Sequence, residues 1–165
     1  MPTPTYIPLA EFTLATASAS VSITEISQDY SDLVLVVDWV STNSVVFSMQ
    51  FNGDVGSIYE NVYVYVTGGY PSAGKSAQTK IRSALGIDNG ERALAIAQIQ
   101  DYSATNKHKT VLTRVDSVDH SDTEMAVGRW PITSAITSIT ATTIAGGSYS
   151  AGTTFKLFGI HGEVV

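Results

Sequence analysis

The chain has 165 residues, no cysteine and a net charge of −6 with only 15% charged residues, so one domain that packs its core without disulfides or thiolate metal sites is expected. Serine and threonine together number 38 against nine lysines and arginines, which makes the surface polar through hydroxyls, and a deficit of charge is a mark of interface cores. The basic residues form no run between Lys75 and Lys156, which argues against nucleic acid as a partner, and no apolar run approaches the roughly 18 residues of a membrane span.

Met1-Pro-Thr-Pro-Thr-Tyr-Ile-Pro8 has neither a basic n-region nor an apolar h-region, which predicts no standard secretion and no membrane insertion. Pro2, Pro4 and Pro8 favour extended polyproline geometry. Residues 1–9, with Tyr6 among them, therefore read either as a frayed terminus or as an extended arm that docks on a partner. Residues 10–165 read as a single β-sandwich domain. Period-2 alternation and β-branched residues predict strands near 11–15, 18–24, 32–40, 44–51, 60–67, 78–82, 92–100, 108–115, 123–130, 135–143 and 153–161, and no long helix. Leu33-Val-Leu-Val-Val37 is continuously apolar, as in a strand covered on both faces. Trp39 and Trp130 are expected in the core, and Pro131, which cannot donate to a ladder, marks a strand exit.

In Asn61-Val-Tyr-Val-Tyr-Val-Thr67, alternation puts Val62, Val64 and Val66 on one face, suited to the core, and Tyr63 and Tyr65 on the other. With Tyr70 nearby, these tyrosines read as a subunit interface, a cross-strand pair covering the sheet, or a sugar-stacking platform. Gly69-Tyr-Pro-Ser-Ala-Gly-Lys-Ser76 matches the phosphate-loop pattern G-x-x-x-x-G-K-[ST] letter for letter. That loop works at a helix N-terminus inside a parallel βαβ unit. Here Pro71 sits within it, the apolar strand ending in Asp38 lies upstream, and no long helix follows, so nucleotide binding is the least favoured reading. Over Ala77 to Leu85 a helical turn, with Ile81 and Leu85 four apart, competes with a strand.

Asp116-Ser-Val-Asp119-His120-Ser-Asp122-Thr-Glu124 offers oxygen and imidazole ligands, but its spacing fits no EF-hand, and acidic residues with serines between two strands make an ordinary solvated hairpin. Cation binding there is left open. Histidines 108, 120 and 161 lie far apart, and none stands near a nucleophile elbow. No catalytic residue, cofactor site or metal site is assigned, and the chain is not expected to be an enzyme.

An opening strand, Tyr30-Ser-Asp-Leu-Val-Leu35, Phe51-Asn-Gly-Asp54, Asn106-Lys-His-Lys109, Gly128-Arg-Trp130 and the closing Thr154-Phe-Lys-Leu-Phe-Gly-Ile160 follow one another over about residues 10 to 160. In that order they resemble a family of small virion structural proteins of tailed bacteriophages. The resemblance implies a jelly-roll β-sandwich in the virion, assembled in the host cytoplasm, with no catalytic residues. It implies partners that are the chain itself, with a trimer expected, and other virion proteins such as the major capsid protein or tail proteins. The place would be a capsid decoration or cement, or a tail appendage. The alternative is a receptor- or carbohydrate-binding module at a tail-fibre tip that meets a host-surface glycan. The chain departs from the family at Val40 to Val46, which is short, and at Gly68 to Gln78, expected as a variable Ser/Gly loop.

Overall fold

In the computed structural model, residues 4–43, 45–67, 70–118, 123–144 and 146–162 are described, those of 66–77 and 84–85 by their backbone alone. Twelve strands follow in order: β1 Tyr6–Thr13, β2 Ser20–Ile23, β3 Asp32–Val40, β4 Val45–Phe51, β5 Tyr59–Thr67, β6 Tyr70–Gln78, β7 Ile81–Ile87, β8 Arg92–Gln100, β9 Lys109–Ser117, β10 Thr123–Trp130, β11 Ile139–Ile144 and β12 Thr154–Ile160. No helix occurs among the described residues. The strands form an antiparallel eight-stranded sheet, β1-β12-β3-β8-β9-β10-β5-β6, and a four-stranded sheet, β2-β11-β4-β7. The protein is an all-β sandwich of jelly-roll type.

The core lies between the sheets, built from the inward-facing half of each alternating strand. Large residues of β3 meet small ones of β8 across the ladder: Leu35 opposite Ala97, Val37 opposite Ala95 and Trp39 opposite Ala93. Phe47 of β4 stacks on Trp39 with centroids 6.0 Å apart, and the Tyr149 ring meets Trp39 edge-on. Pairing large with small side chains keeps each layer filled without strain. β3 sits between β12 and β8, and Leu33, Val34, Leu35 and Val37 are all buried, as its continuous apolar run predicts. Trp39 and Trp130 are both in the core, and β10 ends at Trp130, just before Pro131.

Two expectations are corrected. Tyr6 to Leu9 do not form a free arm, because β1 pairs with β12 from Tyr6 opposite Ile160 onward. Pro8 lies in this edge strand, and the register shifts between Pro8 and Ala10. An edge proline with a bulge blunts further strand pairing, so the proline protects the sheet edge. Pro4 is exposed, and Pro2 lies outside the described residues.

The segment Tyr70 to Gln78 is strand β6, antiparallel to β5, and not a loop. From Tyr70 onward the phosphate-loop look-alike is thus extended backbone in a sheet, without a helix N-terminus behind it, and its Gly69, like Gly68, lies outside the described residues. Over Ala77 to Leu85 the structure takes the strand alternative and not the helical turn: the segment spans the end of β6, a tight connection at Thr79 and Lys80, and most of β7. Backbone pairing with β5 and β4 supplies what the poor strand propensity of Ser, Gly and Ala does not.

Candidate functional site

Of the sequence blocks, Phe51 to Asp54, Lys109 and Gly128 to Trp130 meet in space, while Tyr30 and Gly159 meet each other. Asn52 and Gly53 both take positive φ, 53° and 69°, which turns the chain after β4 and aims the Asn52 side chain at the segment before β11. There Asn52 Nδ2 donates to Ala135 O at 2.8 Å, while Oδ1 accepts from Thr137 N at 2.8 Å and Ser138 N at 3.1 Å. Asp54 accepts from the Trp130 indole at 2.8 Å and from Gly56 N at 2.8 Å. Tyr59 OH links the same corner, accepting from Phe51 N and donating to Asp54 O, each at 3.1 Å. Burial pushes its phenol up to about 12, opposed by the Phe51 amide and aided by the Asp54 charge.

Lys109 closes the adjoining loop from within. Its side chain is fully buried, and Nζ donates to the carbonyls of Ala104 at 2.5 Å, Lys107 at 2.9 Å and Thr133 at 3.2 Å. Two glycines of these blocks are required by close packing. A Cβ on Gly128 would stand 2.5 Å from Ile81 Cγ2, and one on Gly159 would stand 2.5 Å from Tyr30 Cγ. The block residues therefore tie loops and sheets together, and none of these contacts assembles a nucleophile with a base.

The face of β5 is the reverse of the one expected. Trp130, Gly128, Ala126 and Glu124 of β10 point inward and are buried, held in that parity by the Trp130 to Asp54 hydrogen bond and by Gly128 beneath Ile81. Met125 and Val127 must then point outward. Register carries this to β5, where Val127 pairs with Val62 and Met125 with Val64. The valines thus leave the core, and Tyr63 and Tyr65 take the inner face with Tyr59 and Asn61, which are both buried.

Outward apolar residues continue across the sheet in two rows. One runs Phe158, Val34, Gln98, Leu112, Val127, Val62, and the other Val36, Ile96, Arg114, Met125, Val64. Val62 is 50% exposed, Val64 48%, Met125 51%, Val127 47% and neighbouring Leu94 41%. Together they present about 400 Å² of apolar side chain, the size of the largest patch on an ordinary monomer. Arg114 stands within this field between two shallow depressions, one bounded by Leu94, Ile96 and Asp116, the other by Val64, Tyr65 and Met125. Charges around the field are matched: Arg92 with Asp38 at 2.6 Å, Arg129 with Glu60 at 3.1 Å and Lys156 with Glu11 at 2.7 Å. The Arg92 guanidinium holds the Asp38 carboxyl below the usual carboxylate range.

Tyr63 and Tyr65 lie side by side, half-buried, with ring centroids 6.0 Å apart; the Tyr70 side chain is outside what is described. Of the acidic segment, Asp119, His120 and Asp122 are likewise outside the described residues. Asp116 is exposed and Glu124 is buried, on opposite faces of the sheet. No group of three or more His, Asp or Glu suited to a metal occurs among the described residues. The outward valine face escaped sequence reasoning. The signal that could have found it was the parity shared by Tyr59, Asn61, Tyr63 and Tyr65 with a strand ending Ala-x-Gly-x-Trp.

No protein-family profile matches the chain, and no curated protein does. Among solved structures, the Caenorhabditis elegans galectin LEC-6 is similar over 88% of this chain and 94% of its own, at 11% identity and a TM-score of 0.40. The PL-14 alginate lyase of Aplysia kurodai is similar over 84% of this chain and 72% of its own, at 12% identity and 0.35. A mutant of alginate lyase Aly36B in complex with an alginate trisaccharide is similar over 92% and 80%, at 9% identity and 0.36. These likenesses concern the sandwich architecture only.

Proposed function

We propose that the chain is a non-catalytic structural protein of a tailed-bacteriophage virion that works by self-association on the particle exterior, as a capsid decoration or tail-appendage component. The observation that carries this reading is the apolar field on the free face of the eight-stranded sheet, centred on Val62, Val64, Met125 and Val127. A chain so poor in charge gains by covering such a field against a neighbour. The virion assignment rests on the ordered blocks from Tyr30 to Ile160. Where those blocks are described, they act as clamps and close-packing positions, which suits a part whose task is to hold shape. A cement acts by binding the assembled state and stabilising it through mass action.

A second reading, a glycan-binding module at a fibre tip, draws on the half-buried Tyr63 and Tyr65 pair, since adjacent aromatic rings can stack on sugar faces. Quantitative mass spectrometry of purified particles, against the major capsid protein, separates the two. A copy number near that of the capsid protein is expected for a decoration, and far fewer copies for a tail component. Absence from purified particles refutes the virion reading.

A further inference from the structure

We infer that the outer face of the eight-stranded sheet is a two-fold interface, on which a second copy of this chain seats face to face over β9 and β10. The inference rests on the self-association reading and gives it a surface and a symmetry.

Three features select a second copy over other occupants. The first is size: about 400 Å² from the five most exposed side chains of the field, widened by partly buried Val36, Ile96, Leu112 and Phe158, is more than about half of the roughly 800 Å² per partner of a stable interface. The second is charge. Glu60, Asp38 and Glu11 around the field are already neutralised by Arg129, Arg92 and Lys156. Of the charges on β9 in this face, Arg114 and Asp116 have no ion pair among the described residues, one of each sign. A polyanion, a basic peptide or a charged membrane would want a net charge here, whereas these eight charges, four of each sign, sum to zero, as suits a copy of the same face.

The third is register. A two-fold axis parallel to the strands, above the β9–β10 boundary, sets each row of one copy on the same row of the other. Leu112 then faces the second copy's Val127, Ile96 its Val64, and the stem of Arg114 its Met125, in each case reciprocally, because the rows are those of the ladder itself. Arg129 falls opposite Thr110, and Asp116 opposite Thr123. Two sheets that pack face to face close to the usual ~10 Å spacing.

The test is the mass of the whole chain by sedimentation equilibrium over a range of concentrations. Wild type is expected as a dimer. Val127→Asp and Leu112→Lys alter the surface of the sheet, each with its fold checked by circular dichroism, and each is expected to weaken dimerisation by roughly a hundredfold or more, as for charges at an interface centre. Val55→Asp, a solvent-exposed change in the loop after β4, is the control that leaves mass unchanged. Mixing Val127→Asp with Leu112→Lys is expected to restore dimers, since the axis brings those two positions together. If the variants associate as wild type does, or if wild type is a trimer, the two-fold face is overturned while self-association stands. A wild type that stays monomeric at the highest concentration overturns both. Mixed variants that remain monomeric overturn the placement of the axis.

Discussion

Lys109→Met removes the charge and the three donors while keeping an unbranched chain in the same shaft. The side chain is fully buried, and its Nζ carries hydrogen bonds to three carbonyls that come from either side of the loop corner, at Ala104, Lys107 and Thr133. Hydrogen bonds from a charged donor contribute about 1.5–3 kcal/mol each. Two of the three acceptors lie in the exposed 104–107 loop, where water can replace the ammonium once it is gone, so part of that sum returns. The buried charge also carries a desolvation cost, which is why burial pulls the Lys109 ammonium below its usual pKa, with Lys107 adding to the pull and Asp101 opposing it. The net loss is about 3 kcal/mol. With a urea slope of roughly 2 kcal/mol per molar for a domain of this size, the midpoint falls by about 1.5 M. Hydrogen exchange is expected to accelerate at residues 102–108 and 133–136 before the rest of the sandwich. A midpoint within about 0.5 M of wild type, with exchange unchanged in that corner, refutes the reasoning that Lys109 is its fastener.

Gly159→Ala forces a methyl to within 2.5 Å of the root of the Tyr30 ring, an overpacking expected to cost about 2 kcal/mol. In a Tyr30→Ala background the same change is expected to cost little, and equal costs in both backgrounds contradict the contact. Tyr59→Phe leaves the buried Phe51 amide without its acceptor, a loss of about 1–2 kcal/mol at neutral pH. It also changes the alkaline limb. The folded phenol titrates at about 12 and the unfolded one at about 10. Between those values the unfolded chain has lost a proton that the folded chain keeps, so stability is full below pH ~10 and declines as pH rises. Tyr149, also pushed up by burial, shares that slope. Tyr59→Phe is expected to flatten it in part, and an identical slope in the variant removes Tyr59 from the explanation.

Strands whose two faces differ in chemistry were legible in the sequence. β8 alternates Ala93, Ala95, Ala97 and Ile99 inside against Arg92, Leu94, Ile96, Gln98 and Gln100 outside, and β10 ends where Pro131 withdraws its donor. β6 was illegible because Pro-Ser-Ala-Gly-Lys-Ser has the composition of a turn; its extended form comes from a partner, β5, that alternation along one strand cannot reveal. The error over Val62 and Val64 has a different origin. Side-chain hydrophobicity ranks valine above tyrosine for burial, but parity in a sheet is collective. Trp130, Gly128 and the Asp54 hydrogen bond settle it for β10, and β5 obeys from Tyr59 to Tyr65. The clamp around Asn52 and Asp54 could be seen as a block but not as a contact, because its partners lie some eighty residues away. The candidate interface was hidden for the same reason, since its rows are read across strands and never along one.

The first and last strands are neighbours, and Tyr6 lies opposite Ile160. Both ends of the paired segment therefore leave the sandwich at the same point. Tension drawn between residues before Tyr6 and residues after Ile160 would act on the β1–β12 ladder one rung at a time, opening it as a zipper, while β12 stays paired with β3. Pulled by both ends, the domain would shed its edge strand at low force; tethered through one end and gripped by its broad sheet, it would leave that seam unloaded.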